Sequence, residues 1–273
     1  MPIARTEPSL EQMHYVVRPL VLRAGQILTA RQKDVRGLSM KQRHERGQAI
    51  EEEVRTFMHT TLLQLFSSHT VFMAGEKPPT TTPPWQWVVN PLDGGRYYFR
   101  GLPFYAVSLA LRHNGEVVLG LVVEPSTNII FHALKGVGAF MNEQPLSVSD
   151  EKALAHTVVY LDAMSSPASA PTIRRYTSLH AALLKAGCRV SNLNARSLGL
   201  CYLAAGAFDA FLSFRQDTVL SDLLAGFIVA KEAGASVTDG DGKALRAASA
   251  SDIIMVSAPG ISKGLVALAK ESA

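Results

Sequence analysis

Cysteine, aromatic residues and charge are all scarce in this chain. Its two cysteines, Cys188 and Cys201, allow at most one disulfide, so a disulfide-stapled scaffold is excluded and two reduced thiols are expected. Aromatic residues make up 7% of the 273 positions and are scattered, which excludes a base-stacking nucleic-acid platform. The longest apolar runs, Tyr105–Leu111 and Val117–Val123, reach about a third of the roughly 20 residues that a membrane span requires. The opening Met1-Pro2-Ile3-Ala4-Arg5 carries no apolar signal core, so the expected location is cytoplasmic. His113, His132 and His156 lack the spacing of zinc ligands. What is present is an ordinary globular composition, 47% hydrophobic and 18% charged, which disordered chains do not have. The net charge of +4 suits an anionic metabolite without identifying one.

Two helices are expected first. Ser9-x-x-Gln12 is a capping-box pattern ahead of Met13, Val16, Val17, Leu20 and Ile27. A second helix is expected from about Gln48, with Ile50, Val54, Phe57, Met58, Leu62, Leu65 and Phe66 at helical spacing. Arg31 to Arg46, with six Lys or Arg, reads as the loop between them. After the break Pro78–Pro84 come β-type runs at Trp85–Val89, Tyr105–Arg112, Val117–Val123, Ile129–Ala133 and Ala139–Met141. Asn114-Gly115 signals a tight hairpin, because both central positions of a type I′ turn need positive φ. This stretch reads as a mainly antiparallel sheet. From Thr157 onward, apolar strands alternate with small-residue helices, as in α/β layering. The expected division is an N-terminal lobe, 1–155, and a C-terminal lobe, 156–273, forming one unit.

The segment Asn90-Pro91-Leu92-Asp93-Gly94-Gly95 is the most informative for chemistry. It follows an expected strand that ends at Val89, where Pro91 stops ladder pairing. Asp93 beside two glycines can hold a hard cation next to phosphate-facing N–H groups, or it can simply cap a turn. Asp222 opens an apolar helix, either as a ligand or as a complement to the helix dipole. Glu76, in Gly75-Glu76-Lys77, is by itself a loop charge.

Taken in order, these pieces resemble the inositol monophosphatase family. Its Asp-Pro-(Ile/Leu)-Asp-Gly-Thr is matched by Asn90 to Gly95, its Gly-Glu-Glu by Gly75-Glu76-Lys77, and its Trp-Asp by Ser221-Asp222. The later Glu-Ala-Gly-Gly is matched by Glu232 to Ala235. Gly101 to Ser108 resembles the family's Gly-x-Pro-x-x-Ala-Val-Ser, and Lys135 to Asn142 its (Lys/Arg)-Gly-x-Gly-Ala-x-x-Asn. The likeness runs from about residue 10 to 260. It implies an α/β/α/β/α sandwich, Mg²⁺-dependent hydrolysis of a small phosphate monoester (with Mn²⁺ as an alternative ion), and a homodimer. The implied metal ligands are Glu76, Asn90, the Leu92 carbonyl, Asp93 and Asp222. Gly94 and Gly95 are the implied phosphate-binding groups, and Gly199 and Ser213 the implied substrate contacts.

The departures from the family pattern fall on the chemistry. Asn90 replaces a carboxylate that bridges metals, and Gly95 replaces a Thr that orients the attacking water. The acid paired with that Thr is matched by Glu51, one methylene longer. Glu76 is followed by Lys77, Ser221 replaces Trp, and Leu200 replaces a small polar residue. Two readings follow: a phosphatase with a weakened metal site, or a fold retained to bind a ligand, a protein or RNA. Arg31 to Arg46 would supply the basic surface for a nucleic-acid or protein partner.

Overall fold

The computed structural model describes residues 7–76, 83–162, 168–214, 220–245 and 251–272. Lys77 and most of the Pro78–Pro84 break lie outside the described residues. The chain opens with α1 (Leu10–Gln32) and α2 (Met40–Leu65), and each begins with a capping box, Ser9 with Gln12 and Ser39 with Gln42. This corrects the expected loop from Arg31 to Arg46 and the helix start near Gln48. Only a 3-10 turn, Lys33–Val35, and residues 36–39 separate the helices. The basic residues here lie mostly on helices, and several are neutralised. Arg31 pairs with Glu53 at 3.0 Å, Arg46 with Asp34 at 2.9 Å, and Lys41 faces Glu45 at 3.9 Å.

The first sheet has seven strands in chain order: β1 (Thr70–Met73), β2 (Trp85–Asp93), β3 (Ala106–His113), β4 (Glu116–Glu124), β5 (Ile129–Leu134), β6 (Gly138–Met141) and β7 (Gln144–Pro145). Only β1 and β2 run parallel. Asn114 and Gly115 have φ of 50° and 86°, as the hairpin joining β3 and β4 requires. Strand β2 does not stop at Val89. It continues to Asp93 through a register shift between Asn90 and Asp93, since Pro91 removes one ladder donor and a bulge absorbs the loss. A short helix, α3 (Gly95–Tyr98), follows.

The second sheet contains β8 (Val158–Leu161), β9 (Arg189–Ser191), β10 (Ala210–Phe214), β11 (Ser236–Asp239) and β12 (Ile253–Ser257), in the order β11-β12-β10-β8-β9. Its helices are α4 (Ala170–Lys185), α5 (Arg196–Ala204), α6 (Leu224–Glu232) and α7 (Ser262–Glu271). Side-chain alternation along the strands sorts the core into layers. Trp87, Val89 and Leu109 face Met13, Val17, Ile50 and Val54 of α1 and α2. Val88, Ala110 and Val122 face Leu198, Cys201, Ile228 and Val229 of α5 and α6. Those two helices turn Leu200, Leu203 and Ala230 to Tyr160, Phe211 and Val256 of the second sheet. The outer face of that sheet packs on Leu179, Leu183 and Leu265 of α4 and α7. The result is an α/β/α/β/α sandwich. No helix among the described residues is long and apolar enough to cross a membrane.

Candidate metal and phosphate site

The bulge that lets β2 pass Pro91 also aims the end of the strand into a cavity of about 350 Å³. Asn90, Leu92 and Asp93 line it from the strand, followed by Gly94, Gly95 and Arg96 at the start of α3. Glu51 reaches it from α2, Ala74 and Gly75 from the turn after β1, and Asp162 from the end of β8. Asn194 and Arg196 enter with α5, and Asp222 with the 3-10 turn Leu220–Leu223. Gly94 is a required glycine. Its φ is +81°, and a Cβ there would collide with the Phe104 carbonyl oxygen.

Asp93 is only 8% exposed. One of its oxygens accepts the Ser197 N–H at 2.6 Å. Burial pushes its carboxyl up to about 6, opposed by the Ser197 hydrogen bond and the Arg196 charge. Asp222 is also raised by burial, against the Ser221 hydroxyl, which donates to it at 3.2 Å, and Arg196. Glu51 is raised by burial, with Arg55 opposing. Asp162 is buried, and its Oδ2 accepts from Arg196 Nε at 2.6 Å and from Ser213 Oγ at 2.9 Å. Asn90 Oδ1 accepts the Leu92 N–H at 3.3 Å within its own turn, leaving a second lone pair on that oxygen.

The cavity therefore brings together Glu51, Asn90, Leu92, Asp93, Gly94, Gly95 and Asp222. It does not bring in Glu76, Ser213 or Gly199. Glu76 follows β1 with its carboxylate turned to Arg55, 3.4 Å away, and to the Met73 N–H at 3.2 Å; it is absent from the lining. Ser213 is fully buried behind Asp162. Gly199 packs against Tyr160, whose ring would lie 2.7 Å from an added Cβ, so it serves helix-to-sheet packing. Among the described residues no three His, Cys, Asp or Glu side chains come close enough to hold a metal together. The expected convergence of Glu76, Asp93 and Asp222 is not assembled. Sequence reasoning missed Asp162 and Arg196. Asp162 directly follows an apolar strand and Asp93 ends one, and strand exits are where α/β folds place ligands.

The described lining holds four carboxylates (Glu51, Asp93, Asp162 and Asp222) against two guanidinium groups (Arg96 and Arg196), a formal excess of two negative charges. By itself such a cavity repels a phosphate dianion and attracts a divalent cation. The donors are hard oxygens, and Mg²⁺ is commonly held by one or two carboxylates together with water and substrate phosphate. Asp93 and Asp222, with Leu92 and Asn90, are the oxygen-bearing residues of the lining that match this donor chemistry.

A family model described as the inositol monophosphatase family matches residues 9–273. An inositol-1-monophosphatase of Rhizobium meliloti is 35% identical over 177 residues, 64% of this chain and 65% of that protein. A Nus factor SuhB of Xylella fastidiosa is 35% identical over 153 residues, 56% of this chain and 54% of that one. A fructose-1,6-bisphosphatase/inositol-1-monophosphatase of Thermotoga maritima is 31% identical over 203 residues, 73% of this chain and 70% of that protein. The matched stretch thus spans less than two thirds of the length of the first two relatives. Among solved structures, the Thermotoga maritima IMPase superposes with a TM-score of 0.81 at 24% identity, covering 96% of this chain and 98% of the other. The native suhB protein of Bartonella henselae gives 0.82 at 24%, covering 95% and 99%. These structural likenesses speak to the fold.

Proposed function

The chain belongs to the inositol monophosphatase family, and from that premise we propose that it hydrolyses a small phosphate monoester with a single Mg²⁺ held by Asp93 and Asp222. The observation that carries this reading is the meeting of those two carboxylates, from opposite halves of the chain, in one polar cavity with Gly94 and Gly95. When bound, Mg²⁺ supplies the positive charge that offsets the acidic lining and stabilises the leaving oxygen. Gly94 and Gly95 let the substrate phosphate approach the backbone without a side chain in the way. Arg96, exposed at the start of α3, adds charge toward the phosphate. Glu51 takes the proton of the attacking water as the water oxygen bonds to phosphorus. The ester P–O bond then breaks, and the leaving oxygen takes up a proton from solvent to become an alcohol as Glu51 returns its own to solvent, giving the alcohol and inorganic phosphate. Burial raises the Glu51 carboxyl, which makes it a better proton acceptor than an exposed glutamate. A volume of about 350 Å³ accommodates a small phosphorylated metabolite.

Phosphate release from inositol 1-phosphate, fructose 1,6-bisphosphate and p-nitrophenyl phosphate in millimolar Mg²⁺ tests this. Asp93→Asn and Asp222→Asn should each lower turnover by roughly 100-fold or more, as removal of a preorganised charged group does. Turnover unchanged in both variants would refute the assignment. A second reading, binding without turnover, is favoured by Asn90, Gly95 and the diverted Glu76, and several relatives are named Nus factors. A folded wild-type protein that releases no phosphate from any of these esters would select it. Retention of RNA that is lost on neutralising Lys41, Arg43 and Arg46 would then assign the basic surface.

A further inference from the structure

We propose that Ser197 is a positioning residue that holds Asp93 and Asp222 together as one cation site. The inference rests on the reading of those two carboxylates as the cation ligands. Ser197 is the second residue of α5 and is fully buried. Its N–H donates to Asp93 Oδ2 at 2.6 Å, reaching a residue 104 positions earlier in the chain. Its hydroxyl donates to the Asp222 carbonyl oxygen at 3.2 Å, 25 positions later. A single residue therefore ties the end of β2, in the first sheet, to the 3-10 turn Leu220–Leu223 that leads into α6.

The first of these bonds answers a need of the helix. N–H groups in the first turn of a helix have no partner within it, and Ala195, at the N-cap of α5, has no side-chain oxygen to offer them. Asp93 supplies one from β2. A carboxylate has about four acceptor positions, so the bond orients Asp93 and leaves positions for a cation. Burial raises the Asp93 carboxyl, and the Ser197 N–H and hydroxyl both counter that rise, favouring the charged form that binds a cation. The second bond belongs to the side chain: alanine at this position would keep the N–H and lose the hydroxyl. That hydroxyl clamps the turn at the very residue whose side chain enters the cavity. Asp222 sits on a short turn rather than within a sheet, and binding groups must be held to about 0.5 Å to act well.

Calorimetric titration of the whole protein with Mn²⁺, beside thermal melts in EDTA, tests the proposal. Ser197→Ala should weaken Mn²⁺ binding by roughly 10- to 100-fold, as loss of a group that orients a metal ligand does. The Mg²⁺ concentration for half-maximal phosphate release should rise by the same factor, with KM for p-nitrophenyl phosphate at saturating Mg²⁺ unchanged. Thr157→Val controls for lost stability. It removes another buried hydroxyl-to-carbonyl bond, 2.8 Å to Leu154, at a residue outside the described cavity lining. It should lower the melting temperature and leave Mn²⁺ affinity where it was. Mn²⁺ affinity unchanged in Ser197→Ala, or lowered as far by Thr157→Val, would overturn the proposal and leave the ligand reading standing. If wild type binds no Mn²⁺, the ligand reading fails and the proposal fails with it. Should Ser197→Ala not fold, Ser197→Cys serves: a thiol is a weak donor, so affinity equal to wild type would overturn the proposal.

Discussion

Asp93 lies two residues after a proline, 8% exposed, with one backbone N–H and one nearby guanidinium to support its charge. Burial outweighs both and moves its carboxyl from 3.8 to about 6. The folded, metal-free protein therefore holds this proton more tightly than the unfolded chain does. The stability that Asp93 contributes is greatest below about pH 4 and is lost as pH rises through about 6. Above that pH the ionised group costs at most about 3 kcal/mol, from 1.36 kcal/mol per pKa unit. Asp93→Asn should consequently raise the melting temperature in EDTA at pH 7.5 by several degrees, while abolishing the rise that Mg²⁺ gives the wild type. Thermal melts with and without Mg²⁺ check both; a variant that melts lower than wild type in EDTA would contradict the burial argument. Asp93, Asp222, Asn90 and the glycines were legible in the sequence because each sits at a strand exit or helix start, where spacing carries meaning. Glu76 lies outside the cavity lining, its carboxylate turned to Arg55, which is 21 residues away in the chain and meets it only in three dimensions. Arg196 and Asp162, 34 residues apart, form no motif, so their pairing required the fold.

Between helix α1 and strand β5 lies a contact that the hydrophobic pattern hides. The rings of His14 and His132 sit 4.7 Å apart, and His14 Nε2 and His132 Nδ1 are buried without hydrogen-bond partners. The charged groups beside them are Arg18 and Glu143, paired with each other at 2.6 Å. Burial pushes His14 down to about 4; His132 and Arg18 reinforce the shift and Glu143 opposes it. The unfolded chain takes up this proton near pH 6.5 and the folded one only near 4, so stability is lost as pH falls across that window. Allowing for partial exposure, the loss is about 1–2 kcal/mol. Urea unfolding at pH 7 and pH 4.5 should show it, and His14→Phe should flatten the slope; an unchanged slope would place the acid sensitivity elsewhere. At this scale the long apolar strands β3, β4 and β5 were plain from composition. β1, β9 and β11 were not, being only three or four residues long and partly exposed. The start of α2 was missed because Ser39 and Gln42 close a capping box within a basic run that reads as a loop.

Because α5 and α6 bury one face on each sheet, neither half of the sandwich can lose its partner without exposing a core. The chain should therefore unfold as one unit, although its strands divide cleanly into two sheets. A direct check is available because both tryptophans, Trp85 and Trp87, lie on β2 in the first sheet. Their fluorescence reports that half, whereas far-UV circular dichroism also reads α4 and α7 on the far side of the second sheet. The two urea transitions should coincide, as a two-state transition requires. Gly120→Ala sharpens the test. A Cβ on β4 would collide with Ile228 and lie 2.8 Å from the Ala225 carbonyl oxygen, prising α6 from the first sheet. Overpacking of this kind costs roughly 1–3 kcal/mol. Both midpoints should fall together by the same amount. If only the tryptophan transition moves, the sheets are energetically separate. The middle helices would then not carry strain to the cavity, where the start of α5 holds Asp93 and the turn bearing Asp222.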